Sequence, residues 1–176
     1  MRGDMQGDGC NNVTFVAEIM KGERVMEIIE YDEKYKQAFI DFNTEWIIKY
    51  FGFLEEEDVY TFEHVEELLG KGSMIFFAVE DGVPLAACMA EPMEGGTWEL
   101  CKLGSNSSAP HKGVGEAVAR AAMDWAKAHG AERMFIITNT VLKAAIHIYE
   151  KLGFREIKLD DYGYKRGDIA FECILE

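Results

Sequence analysis

Positive charge and long hydrophobic runs are scarce in this sequence. Eighteen Lys and Arg residues stand against 32 Asp and Glu residues, which gives a net charge of −14. Such a surplus repels phosphate backbones and anionic lipids, so we expect no nucleic-acid partner and no membrane partner, whereas a cationic partner is compatible with it. The apolar runs, such as residues 74–79, are far shorter than the roughly 20 residues of a membrane-spanning helix.

Cysteine and histidine are also scarce. The four cysteines are scattered without a C-x-x-C pair, and no histidine is spaced to complete a zinc site. Residues 1–10 are polar and glycine-rich and lack the apolar core of a secretory signal. We therefore expect reduced thiols, no disulfide framework, no metal and a cytoplasmic protein.

The composition that remains is that of one globular domain. Hydrophobic residues make up 48% and charged residues 28% of a chain of 176 residues, which suits a single domain with a real core. Residues 1–17 show no period and no apolar face. We expect them to form a disordered extension that precedes a single domain over residues 18–176.

The first half of that domain is predicted to form helices and then an antiparallel meander. Aromatic residues recur at helical spacing from Tyr35 to Tyr50, the acidic run 55–58 is typical of a loop, and Thr61 can cap a short second helix. The period then changes to two, which predicts strands over residues 74–80, 84–93 and 97–103 with tight turns at Asp81-Gly82 and Gly95-Gly96.

The second half alternates between helix and strand. We predict helices over residues 113–130 and 141–152, and strands over residues 133–138, 154–159 and 169–175, the last two joined by a polar loop. A meander followed by this alternation indicates an α/β fold with a mixed sheet.

A glycine-rich loop over residues 104–116 leads into the first of these helices through His111-Lys112-Gly113-Val114-Gly115. The free N–H groups of a helix start, beside glycines that let an anion approach, can form a pyrophosphate cradle. A long solvent loop explains the same residues equally well. A dinucleotide fingerprint fails because Val118 stands where a small residue is needed, and a Walker loop fails because Lys112 is followed by Gly113.

Three segments together resemble the core of the GNAT superfamily of acyl-CoA N-acyltransferases. They are His111 to Gly115 at a helix start, the strand Phe135 to Thr138 ending in Asn139, and Ala145 to Phe154 with its Tyr-x-x-x-Gly-Phe motif. The resemblance covers roughly Val25 to Glu176. The segment Trp46 to Phe53 also resembles GNAT domains related to those fused to MarR-type regulators.

The resemblance implies a mixed, mostly antiparallel central sheet splayed into a V, with helices on both faces, and acetyl-CoA as the acetyl donor. It implies that the strand end binds the pantetheine arm and that backbone N–H groups at the helix start bind the pyrophosphate. The residues concerned are Leu103, Gly104 and Ser105 for the arm, and His111, Lys112, Gly113, Val114, Gly115 and Glu116 for the pyrophosphate. Two positions depart from the family pattern. Pro110 has no N–H to donate, and Ser105 replaces a small aliphatic residue, so we expect one bond of the cradle to be missing or supplied by a neighbour.

Acyl transfer to an amine needs a base for the nucleophile and a proton for the departing thiolate. Glu99, on the strand face that Cys101 and Leu103 share, is the candidate base; a Glu on a solvated face, or one that acts through water, is the alternative. The resemblance implies that Tyr149 protonates the thiolate. The alternative is that Tyr149 is a core residue whose hydroxyl donates to a backbone carbonyl. Asn139 can cap the following helix, bind the cofactor, or do both.

Aromatic residues at the end of the first helix, beside the acidic run, can form the wall of an acceptor site and attract a cation: Trp46, Tyr50 and Phe51. Core packing and a solvated acidic loop are the alternatives. We expect an N-acetyltransferase that moves the acetyl group of acetyl-CoA to a primary amine of a small molecule, amino acid or peptide, by direct attack in a ternary complex. A homodimer is compatible with this. The competing hypothesis is a non-catalytic acyl-CoA-binding or regulatory module on the same fold.

Overall fold

The computed structural model describes residues 19–21 and 24–176, which begin with two strands, a run of helices and three consecutive strands and then alternate between helix and strand. The predicted extension over residues 1–17 lies outside it. Among the described residues, no helix has the length and apolar character needed to cross a membrane. The elements are β1 (Ile19–Lys21), β2 (Arg24–Glu30), a short 3-10 helix (Glu33–Tyr35), α1 (Lys36–Phe51), α2 (Glu56–Glu63), α3 (Val65–Gly70), β3 (Met74–Glu80), β4 (Val83–Pro92), β5 (Thr97–Ser105), α4 (Val114–Ala128), β6 (Arg133–Thr138), α5 (Lys143–Lys151), β7 (Arg155–Ile157) and β8 (Ile169–Ile174).

The strands form one sheet in the order β1-β2-β3-β4-β5-β6-β8-β7. Neighbouring strands are antiparallel except β5 and β6, which are parallel. The tight turn between β3 and β4 forms as predicted, because Asp81 and Gly82 both take positive φ, at 51° and 78°. The predicted mixed, mostly antiparallel sheet is therefore confirmed.

The parallel pairing of β5 with β6 is short, and this opens the sheet. Residues Thr97 to Glu99 pair with Arg133 to Phe135. Strand β5 continues to Ser105 and β6 to Thr138, but these later residues do not pair with each other. The two strands therefore part beyond Glu99 and form the predicted V.

Helices cover both faces of the sheet, as predicted. On one face, α4 and α5 pack over alternate strand residues such as Phe76 and Leu100. On the other face, α1 and α3 pack over Ile75, Phe77 and Met89. This alternation follows from the pleat, which turns successive side chains of a strand to opposite faces. Each face thus has its own apolar core, and the V opens between them.

Two predictions for residues 55–61 are wrong. The acidic run is not a loop, because α2 begins at Glu56 and the Glu55 N–H donates to the Asp58 carboxylate at 2.9 Å. Acidic residues in a first helical turn also interact favourably with the helix dipole. Thr61 does not cap a helix; it lies inside α2, where its hydroxyl donates to the Glu57 carbonyl at 2.8 Å, and α3 starts after His64.

Candidate active site

A cavity of about 770 Å³ lies where β5 and β6 part. Its walls come from the unpaired ends of these two strands, the start of α4, the inner face of α5 and the end of α1. All the residues singled out from the sequence line it: Trp46, Tyr50, Phe51, Glu99, Leu103, Gly104, Ser105, His111, Lys112, Gly113, Val114, Gly115, Glu116, Asn139 and Tyr149. The fold brings them together; their individual roles stay predictions.

The start of α4 has the features of an anion site. Gly113, at φ 85°, precedes the helix in the left-handed region, and a Cβ there would meet nothing within 4 Å. The Ala117 N–H donates to the Gly113 carbonyl at 3.0 Å, so the three N–H groups before it have no acceptor within the helix. Lys112, Lys143 and Lys151 also line the cavity, and Lys151 is ion-paired with Glu116 in the first turn of α4. These donors and cations fit the pyrophosphate of a coenzyme A molecule.

Two glycines of the site are also needed for packing. A Cβ on Gly115 would lie 3.0 Å from the Ile148 Cδ1, so its absence lets α5 approach α4. A Cβ on Gly104 would lie 3.0 Å from the carbonyl carbon of Phe42, so its absence lets α1 approach β5. A side chain at Gly115 would thus point toward Ile148 of α5 and Leu103 of β5.

Tyr149 sits in the wall of the cavity with an unbonded hydroxyl. The residue is 6% exposed, and its ring packs edge-on against Phe154 with centroids 6.2 Å apart. Among the described residues, none hydrogen-bonds the Tyr149 hydroxyl, so a core tyrosine satisfied by a backbone carbonyl is not what the structure has. Burial raises the pKa of this phenol above its usual range. The group therefore holds a proton that it can donate into the cavity.

Glu99 is a buried carboxyl group at the point where the strands part. It is 8% exposed, and the Tyr164 hydroxyl donates to its Oε1 at 3.4 Å. Burial raises the pKa of Glu99 to about 7, although the charge of Lys102 opposes the shift. A carboxyl group that titrates near neutral pH can accept a proton and release it again.

The strand face predicted for Glu99 needs one correction. Lys102 takes a positive φ of 51°, and the register of β4 with β5 slips between Ala87 and Met89. This bulge inserts an extra residue into β5 and reverses the alternation beyond it. Cys101 consequently packs in the core beside α1, whereas Leu103 packs in the core beside α4, so Leu103 does not share the face of Cys101.

The sequence analysis missed a buried ionic cluster beside Glu99. Asp58, whose side chain is fully buried, accepts two bonds from the Arg166 guanidinium, at 2.5 and 2.7 Å, and one from Lys102 at 2.8 Å. The Glu55 carboxylate accepts from the backbone N–H groups of Lys165 and Arg166, at 3.1 and 3.0 Å. Burial alone would raise the pKa of Asp58, but Arg166 and Lys102 lower it to about 2.

The ionic cluster fixes the loop between β7 and β8, residues 158–168, over the cavity. The Arg166 guanidinium lies 5.7 Å from the Trp46 ring and 5.9 Å from the Phe51 ring, which are cation–π distances. The predicted acceptor wall is therefore partly covered by a cation of the protein itself. No local sequence signal marks this arrangement, since Asp58 and Arg166 are 108 residues apart.

Asn139 does not cap α5. The helix starts at Lys143 with Leu142 at its N-cap, two residues later than predicted. The Asn139 Oδ1 instead accepts from the Val141 N–H at 2.9 Å, and its Nδ2 donates to the Arg166 carbonyl at 2.6 Å. Asn139 thus ties the end of β6 to the loop over the cavity, and its contact with a cofactor stays a prediction.

The sequence and the fold are similar to those of known acetyltransferases. The model of the acetyltransferase (GNAT) family matches residues 32–154. The N-acetyltransferase YobR of Bacillus subtilis, itself described as uncharacterized, is 44% identical over 55 residues, which are 31% of this chain and 22% of that protein. The curated relatives that the chain matches are longer, and the alignments span 22% to 31% of their length.

Solved structures share the fold. A GNAT-family acetyltransferase from Staphylococcus aureus Mu50 superposes with a TM-score of 0.75 at 19% identity, over 86% of this chain and 99% of that one. The acetyltransferase YncA of Salmonella typhimurium, solved with acetyl-CoA, superposes with a TM-score of 0.70 at 17% identity, over 86% of this chain and 94% of that one.

Proposed function

We propose that this chain, which belongs to the GNAT acetyltransferase family, transfers the acetyl group of acetyl-CoA to a primary amine by direct attack in a ternary complex. One observation carries the proposal. A phenol with an unbonded hydroxyl, Tyr149, and a carboxyl group that titrates near neutral pH, Glu99, line one cavity whose far end is the start of α4. An acid, a base and an anion site are the parts that such a transfer needs.

The donor end is assigned to the start of α4. The N–H groups of Val114, Gly115 and Glu116, together with the positive end of the helix dipole, bind the pyrophosphate. The unpaired end of β5 binds the pantetheine arm, because its backbone groups have no partner on β6 beyond Glu99. Bound in this way, acetyl-CoA supplies an activated acyl group at the level of Glu99 and Tyr149.

The chemistry follows from the protonation states of these two side chains. An alkylammonium ion of pKa about 10.4 is only about 0.04% neutral at pH 7, so it first gives a proton to Glu99, directly or through water. The nitrogen lone pair then forms the C–N bond at the thioester carbonyl, and the C–S bond breaks with its electron pair on sulfur. Tyr149 protonates this sulfur, and the second nitrogen proton restores the phenol through solvent. The products are an amide, a free thiol and one proton on Glu99.

The competing hypothesis is a module that binds acyl-CoA without chemistry. Such a module has no use for a proton donor that faces the cavity without a hydrogen-bond partner among the described residues. The Tyr149 ring makes the packing contacts, so the hydroxyl, which bonds none of the described residues, favours a role in turnover over a role in packing.

Thiol release tests the proposal. The protein, acetyl-CoA and a panel of primary amines are mixed, free thiol is measured, and the acetylated amine is identified by mass spectrometry. We expect thiol release that depends on one class of amine and is lost in Glu99→Gln. Binding of acetyl-CoA without amine-dependent release over the whole panel would instead support the binding module.

A further inference from the structure

A second, open groove of about 1090 Å³ lies on the other side of Glu99 from the start of α4. Glu99 and Tyr164 line both this groove and the cavity, so the groove reaches the candidate base from outside. Five carboxyl groups line it: Glu56, Glu57, Glu91, Glu94 and Glu99. The groove is thus strongly acidic where it meets the reacting centre.

Two of these carboxyl groups form a like-charge pair. Glu91 and Glu99 stand directly opposite each other across β4 and β5. Opposite positions on antiparallel strands hold side chains close together, and like charges there are destabilising. Among the described residues, none hydrogen-bonds the Glu91 carboxylate or the Oε2 of Glu99. Burial raises the pKa of both groups although the charge of Lys102 opposes both shifts, and the charge of Glu91 adds to the rise at Glu99.

The cations nearby are already paired. Arg133, the cation that lines the groove, lies 3.4 Å from the Glu172 carboxylate and donates to the Thr97 hydroxyl. Lys102 and Arg166, on the cavity side, are bound to Asp58. An acceptor that carries a carboxylate beside its amine would therefore find no free cation, whereas a cationic acceptor would find free carboxylates.

We propose that the acceptor is a small amine with a second positive charge, and that it enters along this groove. Its reacting nitrogen lies beside Glu99, and its second cation lies among Glu91, Glu94 and the exposed acids of α2. The inference rests on the proposed acetyl transfer for its chemistry, but the groove binds such an amine whether or not transfer follows. A cation between Glu91 and Glu99 also relieves their mutual repulsion.

Binding and turnover are measured separately, with 1,4-diaminobutane as the dication, butylamine as the monocation of equal length, and aspartate as an acceptor with carboxylates. Calorimetry on the protein saturated with coenzyme A is expected to give a dissociation constant for the diamine about tenfold below that for butylamine. This ratio should shrink as salt is raised from 0.05 to 0.5 M, because salt screens exposed charges. Equal affinities for the two amines, preferred binding of aspartate, or no binding of the diamine would overturn the inference.

A matched pair of variants locates the second charge. Glu91→Gln is expected to raise the diamine dissociation constant about three- to tenfold and to change that of butylamine less than twofold. Glu63→Gln, which removes one exposed charge of α2 outside the groove, should change neither. If Glu91→Gln and Glu63→Gln changed the diamine dissociation constant equally, the groove would not be where the second charge binds. If the diamine binds but is not acetylated, the acidic groove is supported and the proposed acetyl transfer is refuted. If both amines are acetylated equally well, the acetyl transfer is supported and the acidic groove is refuted as the acceptor site.

Discussion

The two ends of the candidate site differ in charge and in how the chain builds them. At the start of α4, free N–H groups and the positive end of the helix dipole face the cavity, which Lys112 and Lys143 also line, while five carboxyl groups line the groove on the other side of Glu99. In a chain of net charge −14, one end of the site thus offers hydrogen-bond donors for an anion and the other end offers carboxylates for a cation. An anionic donor and a cationic acceptor can then approach from opposite sides without competing for one surface.

The donor end is local in sequence, and the acceptor end is not. The proposed cradle is one run of residues, 111–116, at the start of one helix. The acidic groove depends on the register of β4 with β5, and its loop is held by contacts over more than 100 residues. Variants at one end, and variants of the reacting groups between them, can therefore test whether the two ends function separately.

The largest expected effect is the loss of the donor end in Gly115→Glu. The new side chain would press on Ile148 and place a negative charge beside the free N–H groups of α4. We expect acetyl-CoA affinity to fall at least about a hundredfold, and the circular dichroism spectrum to stay close to that of the wild type. Gly70→Glu is the control, because that helix position has open space around it. If a folded Gly115→Glu variant bound acetyl-CoA with unchanged affinity, the pyrophosphate would bind somewhere other than the start of α4.

Tyr149→Phe should break the chemistry while leaving both ends intact. The ring keeps its contact with Phe154, and the lost hydroxyl has no hydrogen-bond partner among the described residues, so the melting temperature should change little. Loss of a general acid lowers turnover by about 10² to 10⁴. The effect can be near the lower figure because a thiolate whose conjugate acid has a pKa of about 8.5 leaves partly unaided. Steady-state kinetics measure this effect. A wild-type kcat in the Phe variant would show that Tyr149 has a packing role and is not the general acid.

Asp58→Asn should loosen the acceptor end, because Lys102 loses its ion-pair partner and Arg166 keeps only the Glu55 carboxylate, 3.5 Å away. Removing one partner of a buried ionic cluster costs about 3 to 5 kcal/mol of unfolding free energy. Glu66→Gln, which breaks an exposed pair with Lys36, is the control and should cost less than about 1 kcal/mol. Urea unfolding measures the free energy of unfolding of both variants. If Asp58→Asn lost as little as Glu66→Gln, water would have to reach the ionic cluster.

The same cluster predicts a pH dependence of stability. Since the pKa of Asp58 is lowered to about 2 in the folded protein, its contribution is fully present above the ordinary pKa of an unfolded aspartate, about 3.9. The contribution should be lost as pH falls from about 4 to about 2. In Asp58→Asn, the free energy of unfolding should no longer fall by this amount between about pH 4 and about pH 2. If its dependence on pH were the same as in the wild type, other carboxylates would be responsible for the loss of stability in acid.

What could be predicted from the sequence follows the same division. Periodicity and turn chemistry predicted most helices and strands, and the resemblance predicted the V. The residues that the resemblance implies for the cradle line the cavity, and their role stays a prediction. The bulge at Lys102 was not predictable, because it is a matter of register between strands rather than of alternation within one. The split of the acidic run into buried Glu55 and Asp58 and exposed Glu56 and Glu57 depends on Arg166, which only the folded chain brings near.

The smallest expected effect belongs to Tyr164→Phe, which acts where the two ends meet. The rate kcat/KM should rise with pH as Glu99 loses its proton, with a midpoint near pH 7, since the base works in its ionised form. The Tyr164 hydroxyl donates to the Glu99 carboxylate and lowers its pKa, so its removal should move the midpoint to higher pH. A bond of 3.4 Å is weak, and a net bond energy near 1 kcal/mol corresponds to less than one pH unit. Tyr162→Phe, on the same loop, should leave the midpoint in place. A midpoint that moves to lower pH would mean that the hydroxyl stabilises the protonated carboxyl group, and Glu99 would then act as an acid.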